Sequence, residues 1–159
     1  MLVDIDLLQF QSTLNLVKKG ETALVHDPVR RKKVVLTPEE LLRQLVLCYL
    51  LEVKQYPLHR IRVEIGIEVN GLKKRCDIVV FDKNIQPWLL IECKSPKIPL
   101  AQATFEQAAR YNLSLKAPFM AITNGLATFS CALHFKEQRF EYLADFPDWP
   151  NRPISTGIN

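Results

Sequence analysis

Arg75-Cys76-Asp77-Ile78-Val79-Val80-Phe81, then Asp82-Lys83-Asn84-Ile85-Gln86, then Pro87-Trp88-Leu89-Leu90-Ile91-Glu92-Cys93-Lys94 is the stretch whose reading decides the fold. Two apolar runs enclose a turn-rich connector, which is the signature of a hairpin. The first run carries Asp77 and the second ends on Glu92-x-Lys94, with fourteen residues between the two acids. Side chains alternate along a strand, so Glu92 and Lys94 share a face about 7 Å apart while Cys93 points the other way. If the hairpin closes in its simplest register, Asp77 joins that face.

Those residue types suit one kind of chemistry. Asp77, Glu92 and the Cys93 backbone carbonyl between Glu92 and Lys94 are hard oxygen donors matched to Mg²⁺, which keeps several waters and takes one or two protein carboxylates. Lys94 would stand beside the bound water, stabilising an attacking hydroxide or the charge that builds on a phosphoryl oxygen. The plainer alternative is a salt bridge from Lys94 to Glu92 or Asp77, a contact that contributes little at a surface.

Upstream, Ile61, Val63, Ile65 and Ile67 alternate with Arg62 and Glu64, a strand with one polar face; Glu64 could reach the site or simply face solvent. Asn70-Gly71 marks a tight turn, so residues 61–94 read as a three-strand antiparallel meander. Before it, Thr37-Pro38-Glu39-Glu40 is a helix start, with Thr37 as N-cap, Pro38 in the first turn and Glu40 as the capping-box acid. Glu40 could equally lean toward the metal-binding carboxylates, with Glu39 as its substitute. The helix runs through Leu41, Leu45, Tyr49 and Val53 to about Tyr56. Residues 5–19 read as weakly helical or irregular, making the first third a helical segment. Arg30, Arg31, Lys32 and Lys33 concentrate cations in a solvated loop or a phosphate-contacting strip. Lys73, Lys74, Arg75 and Lys97 are the further candidates for nucleic-acid contact.

Downstream, two prolines in Ser95-Pro96-Lys97-Ile98-Pro99 end the third strand. A helix over residues 101–115 places Gln107 and Tyr111 on one face, four residues apart. Pro118 to Thr123 is a buried strand, reached by a right-handed crossover and therefore parallel to the Glu92 strand. Asn124-Gly125 turns the chain into residues 126–135, a last strand follows near residues 140–143, and residues 145–159 read as a frayed tail.

Length and composition bound the rest. A chain of 159 residues with 48% hydrophobic and 24% charged residues is one ordinary globular domain with its own core. Its expected division is an N-terminal extension over 1–36, a core over 37–144 and a tail over 145–159. The net charge of +4 permits an anionic partner without requiring one. No apolar run approaches a membrane span and no leader follows Met1, so a cytoplasmic protein is expected. Cys48, Cys76, Cys93 and Cys131 show no paired spacing, which argues for buried thiols rather than zinc or disulfides.

Taken in order, the helix with Glu40, the strand with Asp77, the strand with Glu92-x-Lys94 and the helix with Gln107-x-x-x-Tyr111 resemble the PD-(D/E)xK nuclease superfamily. The strings Pro38-Glu39-Glu40, Val69-Asn70-Gly71, Lys74-Arg75-Cys76-Asp77-Ile78-Val79-Val80, Ile91-Glu92-Cys93-Lys94-Ser95-Pro96, Phe105-Glu106-Gln107-Ala108-Ala109-Arg110-Tyr111-Asn112 and Thr123-Asn124-Gly125 are similar to the N-terminal nuclease domain of type I restriction enzyme R subunits. The likeness spans residues 37–135.

This resemblance implies an α/β (α+β) restriction-endonuclease-like fold, a mixed β-sheet flanked by helices, and Mg²⁺-dependent hydrolysis of DNA, with Mn²⁺ as a substitute. It implies Asp77 and Glu92 as metal ligands, Lys94 as the residue that orients or activates water, and Glu40 acting through metal-bound water. Gln107 and Tyr111 match an element placed beside the active site, steadying Lys94 or the DNA backbone. Cys76 stands where the motif's Pro would be. No G-x-x-x-x-G-K-[ST] loop occurs, so the expected partners are DNA and a separate helicase, translocase or modification subunit. Cutting both strands with one site per chain would favour a homodimer. The alternative is a non-cleaving nucleic-acid-binding or assembly subunit that keeps the fold and serves a separate motor; an RNA substrate is the third reading.

Overall fold

The computed structural model describes residues 2–150. It opens with a short 3₁₀ helix, Leu7–Thr13, within the stretch expected to be weakly helical or irregular, and its start is capped by the Asp6 carboxylate accepting from the Leu8 amide. Strands β1 (Leu16–Lys19), β2 (Thr22–Asp27) and β3 (Lys32–Val35) then form an antiparallel sheet. The helical first third expected from the sequence is thereby corrected. Leu7 and Phe10 reach the core from this 3₁₀ segment, and the short strands that follow pair with one another rather than extend it.

Helix α1 (Pro38–Cys48) begins as its sequence dictates, with the Thr37 hydroxyl accepting from the Glu40 amide at 3.0 Å. Only half of the capping box forms, because the Thr37 amide donates instead to the Val35 carbonyl at 3.1 Å. The helix continues through a π turn, Tyr49–Val53.

The main sheet has six strands: β4 (Ile61–Val69), β5 (Leu72–Phe81), β6 (Pro87–Cys93), β7 (Phe119–Thr123), β8 (Thr128–His134) and β9 (Arg139–Leu143), neighbours in chain order. All pairs are antiparallel except β6 with β7, which are parallel across helix α2 (Gln102–Leu115). Asn70 and Gly71 make the β4–β5 turn with φ of 52° and 77°, the left-handed conformations that this dipeptide adopts most easily.

Two apolar layers sandwich the sheet. Leu45, Val46 and Leu50 pack on Ile78, Val80, Leu89 and Ile91 on one side; Phe105 and Ala108 pack with Val79, Leu90 and Met120 on the other. Each fully buried Ile or Leu contributes about 1.5–3 kcal/mol. The loop after β7 touches α1 directly, since a Cβ on Gly125, whose φ is 86°, would lie 3.3 Å from Leu42 Cδ1. Residues 145–149 do not fray: Phe146 is buried against Tyr49 at 5.7 Å, and Asp145 accepts from the Tyr49 hydroxyl and from Lys54. The rest of the expected tail, 151–159, lies outside the described residues.

Candidate active site

The β5–β6 register pairs Ile78 with Ile91 and Val79 with Leu90. One further step sets Asp77 opposite Glu92, and cross-strand neighbours lie about 4.5–5.5 Å apart at Cβ. The Cys93 amide donates to Asp77 Oδ2 at 2.8 Å, which ties that carboxylate to the end of β6. Both acids are buried, Glu92 at 3% exposure. Lys94, partly exposed, holds Nζ at 3.9 Å from Glu92 Oε2, and its own amide is fixed by the Thr123 carbonyl of β7 at 2.8 Å. The three residues singled out from the hairpin therefore meet at one place.

Asp77 lies in a chain of buried charge. Arg43 Nη2 donates to Asp77 Oδ1 at 2.8 Å and Nη1 to Glu40 Oε2 at 2.5 Å. Arg30 donates to Glu40 Oε1 at 2.5 Å, to Glu64 Oε2 at 3.1 Å and to Asp27 Oδ2 at 2.7 Å. Gln44 bridges Asp27 and Glu40 at 3.0 and 2.9 Å. Two guanidinium groups thus hydrogen-bond four carboxylates, Asp27, Glu40, Glu64 and Asp77, with Glu92 alongside. At the rim, the exposed Glu39 lies 3.7 Å from Arg43 and the exposed Arg75 3.7 Å from Glu64. Burial raises the Asp27 carboxyl, but the Arg30 amide and guanidinium outweigh it and hold the group below its ordinary range. Burial likewise works against the Arg43 charge, and the bond to Asp77 together with the Glu40 and Asp77 charges outweighs it, so the guanidinium is held above its ordinary value.

Glu92 has no such compensation. Its Oε1 is buried without a hydrogen-bond partner. Burial, and after it the Asp77 carboxylate, push its carboxyl up to about 7, against the opposite pull of Lys74 and Lys94. A buried carboxylate oxygen left unpaired costs free energy unless a proton or cation meets it. Glu92 and Asp77, with the Cys93 carbonyl at the same strand end, fit a hard divalent cation that keeps most of its waters. Among the described residues, no three His, Cys, Asp and Glu side chains are grouped so as to hold a metal ion, so any cation here would have only two side-chain ligands.

On the α2 side, Gln107 Nε2 donates to the Tyr111 hydroxyl at 3.2 Å, and Lys74 Nζ stands 3.1 Å from the Tyr111 ring centroid. The bond from Gln107, followed by the Lys74 charge, lowers the Tyr111 hydroxyl from its ordinary value. The helix pair is thus joined to β5 beside Glu92. Cys93 turns its thiol into the core, and burial drives its pKa well up; burial also raises the Cys76 thiol to about 12. Neither has the electropositive exposure of a nucleophile.

The cations set aside for nucleic acid divide. Arg31, Lys32, Lys33, Lys73, Arg75 and Lys97 are exposed. Arg30 is turned inward onto three carboxylates, and Lys74 is half-buried on Tyr111. Glu40 meets Asp77 through the Arg43 guanidinium rather than directly. Glu64, expected either to reach the site or to face solvent, reaches it through Arg30; Arg43 is a member not singled out in the sequence. One signal for Arg43 was available, since Glu40, Arg43 and Gln44 fall at i, i+3 and i+4 on one helix face. Glu64 has a φ of 53° in mid-strand, a strained value for a non-glycine residue.

A family model described as the type I restriction enzyme R protein N terminus (HSDR_N) matches residues 38–147. No curated protein matches the chain. Among solved structures, a candidate nuclease of the DUF820 group from Anabaena variabilis is similar at 15% identity, covering 89% of this chain and 86% of that one, with a TM-score of 0.44.

Proposed function

We propose, for a chain that belongs to the type I restriction enzyme R protein N terminus family, metal-dependent hydrolysis of DNA phosphodiester bonds. The observation that carries this reading is the buried, unpartnered Glu92 Oε1 beside Asp77 and Lys94. Glu92, Asp77 and the Cys93 carbonyl would hold Mg²⁺, or Mn²⁺ in its place. A divalent cation bound there supplies a Lewis acid for the phosphoryl oxygen and a more acidic water.

The chain's own groups do the rest. Lys94 is set to donate to the non-bridging oxygen on which charge develops and to the attacking water, and its position is fixed by backbone pairing to β7 rather than by a flexible loop. Water attacks phosphorus in line with the leaving oxygen; the new P–O bond forms as the old one breaks, the attacking water gives a proton up to solvent, and the leaving oxygen takes one up. Tyr111 and Gln107, joined to Lys74, would steady the DNA backbone next to Glu92. Arg31, Lys32, Lys33, Lys73, Arg75 and Lys97 would meet phosphates, with affinity that falls as salt rises.

The expected result is cleavage of plasmid DNA in Mg²⁺, lost in excess chelator and in Asp77→Ala and Lys94→Ala chains whose circular dichroism is unchanged. Cleavage that persists in chelator would refute it. A second reading, a non-cleaving DNA-binding or assembly module serving a separate motor or modification subunit, draws on the Arg43 guanidinium already seated on Asp77 Oδ1. Calorimetry separates the two, since only the nuclease should give Mn²⁺ binding heat that vanishes in Asp77→Asn. The proposal places the protein in the cytoplasm, where its DNA is; no described helix is long and apolar enough to cross a membrane.

A further inference from the structure

Most carboxylate oxygens of the cluster are already spoken for. Glu40 gives Oε1 to Arg30 and Oε2 to Arg43, each at 2.5 Å. Glu64 gives Oε2 to Arg30 at 3.1 Å, and its Oε1 lies 3.6 Å from Arg43 Nη2. Asp77 gives Oδ1 to Arg43 at 2.8 Å. Asp27 Oδ1 is taken by the Val29 and Arg30 amides at 2.7 and 2.8 Å. What then remains without a guanidinium is Asp77 Oδ2, held by the Cys93 amide at 2.8 Å, and the Glu92 carboxylate, whose Oε1 has no partner. Those oxygens lie at one edge of the cluster and suffice for one small cation.

Arg43 cannot yield its place by losing a proton, because a guanidinium stays charged in proteins. Nor is it a surface side chain that swings away, being 4% exposed with donors committed to two acids. A second divalent ion shared by Asp77 and Glu40 would have to displace it and leave its charge buried without a partner, which is strongly unfavourable.

We propose that Arg43 is a resident cation that fills the second cation position, so that this centre takes a single divalent ion, at Glu92 and Asp77 Oδ2. The inference rests on the nuclease reading and sharpens it: Glu40 works by holding Arg43, as a positioning residue, and not through a metal-bound water. Arg43 in turn fixes Asp77 Oδ1, which leaves Oδ2 aimed at the β6 end.

Mn²⁺ titration of the full chain, followed by the free-ion electron paramagnetic resonance signal and by calorimetry at millimolar ion, gives the count. One Mn²⁺ per wild-type chain is expected, one in Arg43→Lys, and two in Arg43→Met, where Asp77 and Glu40 lose their internal counter-charge. Two ions in the wild type, or an Arg43→Met chain that still binds one with unchanged affinity, would overturn the inference. If Arg43→Met does not fold, the wild-type count decides alone. Two bound ions with plasmid cleavage intact sink only this inference, whereas no bound ion and no cleavage sink the nuclease reading with it.

Discussion

Glu92 is where single-residue physics is most exposed to measurement. Its folded pKa of about 7 stands above the ordinary 4.5, so the folded chain binds this proton more tightly than the unfolded one. The stability contributed by that proton is complete below about 4.5 and is lost as pH rises through about 7. In chelator, the thermal midpoint is therefore expected to fall between about pH 5 and pH 8, and Glu92→Gln should flatten that dependence while raising the midpoint at the upper end. A Glu92→Gln chain with the same pH slope as the wild type would show that the charge at this position is solvated after all. Asp77, Glu92 and Lys94 were legible in the sequence because charges embedded in apolar runs need a reason. Glu64 was legible only as one of two options, and the role of Arg43 was not legible, because it meets Asp77 from 34 positions away and its helix spacing with Glu40 does not name that partner.

At the level of elements, the β2–β3 turn behaves as part of the site, although it lies outside the matched residues 38–147. Arg30 leaves that turn to hold Glu40 on α1 and Glu64 on β4, anchored by the fully buried Asp27. Arg30→Ala is expected to cost about 3–5 kcal/mol, since it strands buried carboxylates. Arg31→Ala and Lys33→Ala, whose side chains end in solvent, should stay within about 0.5 kcal/mol. Urea unfolding of the three variants checks the ranking, and equal midpoints would mean that the turn is only attached, not coupled. The meander, the α2 crossover and the parallel β6–β7 pair could be read from turn dipeptides and continuous apolar runs. The first sheet escaped notice because strands of four to six residues carry too few alternations to outweigh a plausible helical spacing.

Across the whole molecule, the sheet separates two half-sites that only its packing brings together. Arg43 and Glu40 ride on α1 on one side, while Gln107 and Tyr111 ride on α2 beside Lys74, and Asp77 and Glu92 lie between. Their relative placement depends on how closely α1 can settle. The loop after β7 lies against that helix, since a Cβ added at Gly125 would come within 3.3 Å of Leu42 Cδ1 on the helix that bears both residues. Gly125→Ala is expected to lower stability by about 1–2 kcal/mol through its left-handed backbone. It should also depress plasmid cleavage beyond what unfolding explains, as measured on the folded fraction at low temperature. Normal cleavage per folded molecule would show that the helix does not shift. On that expectation Gly125, which has no reactive group, would act as a shim: its missing methyl would set the clearance to which the distant carboxylates are aligned.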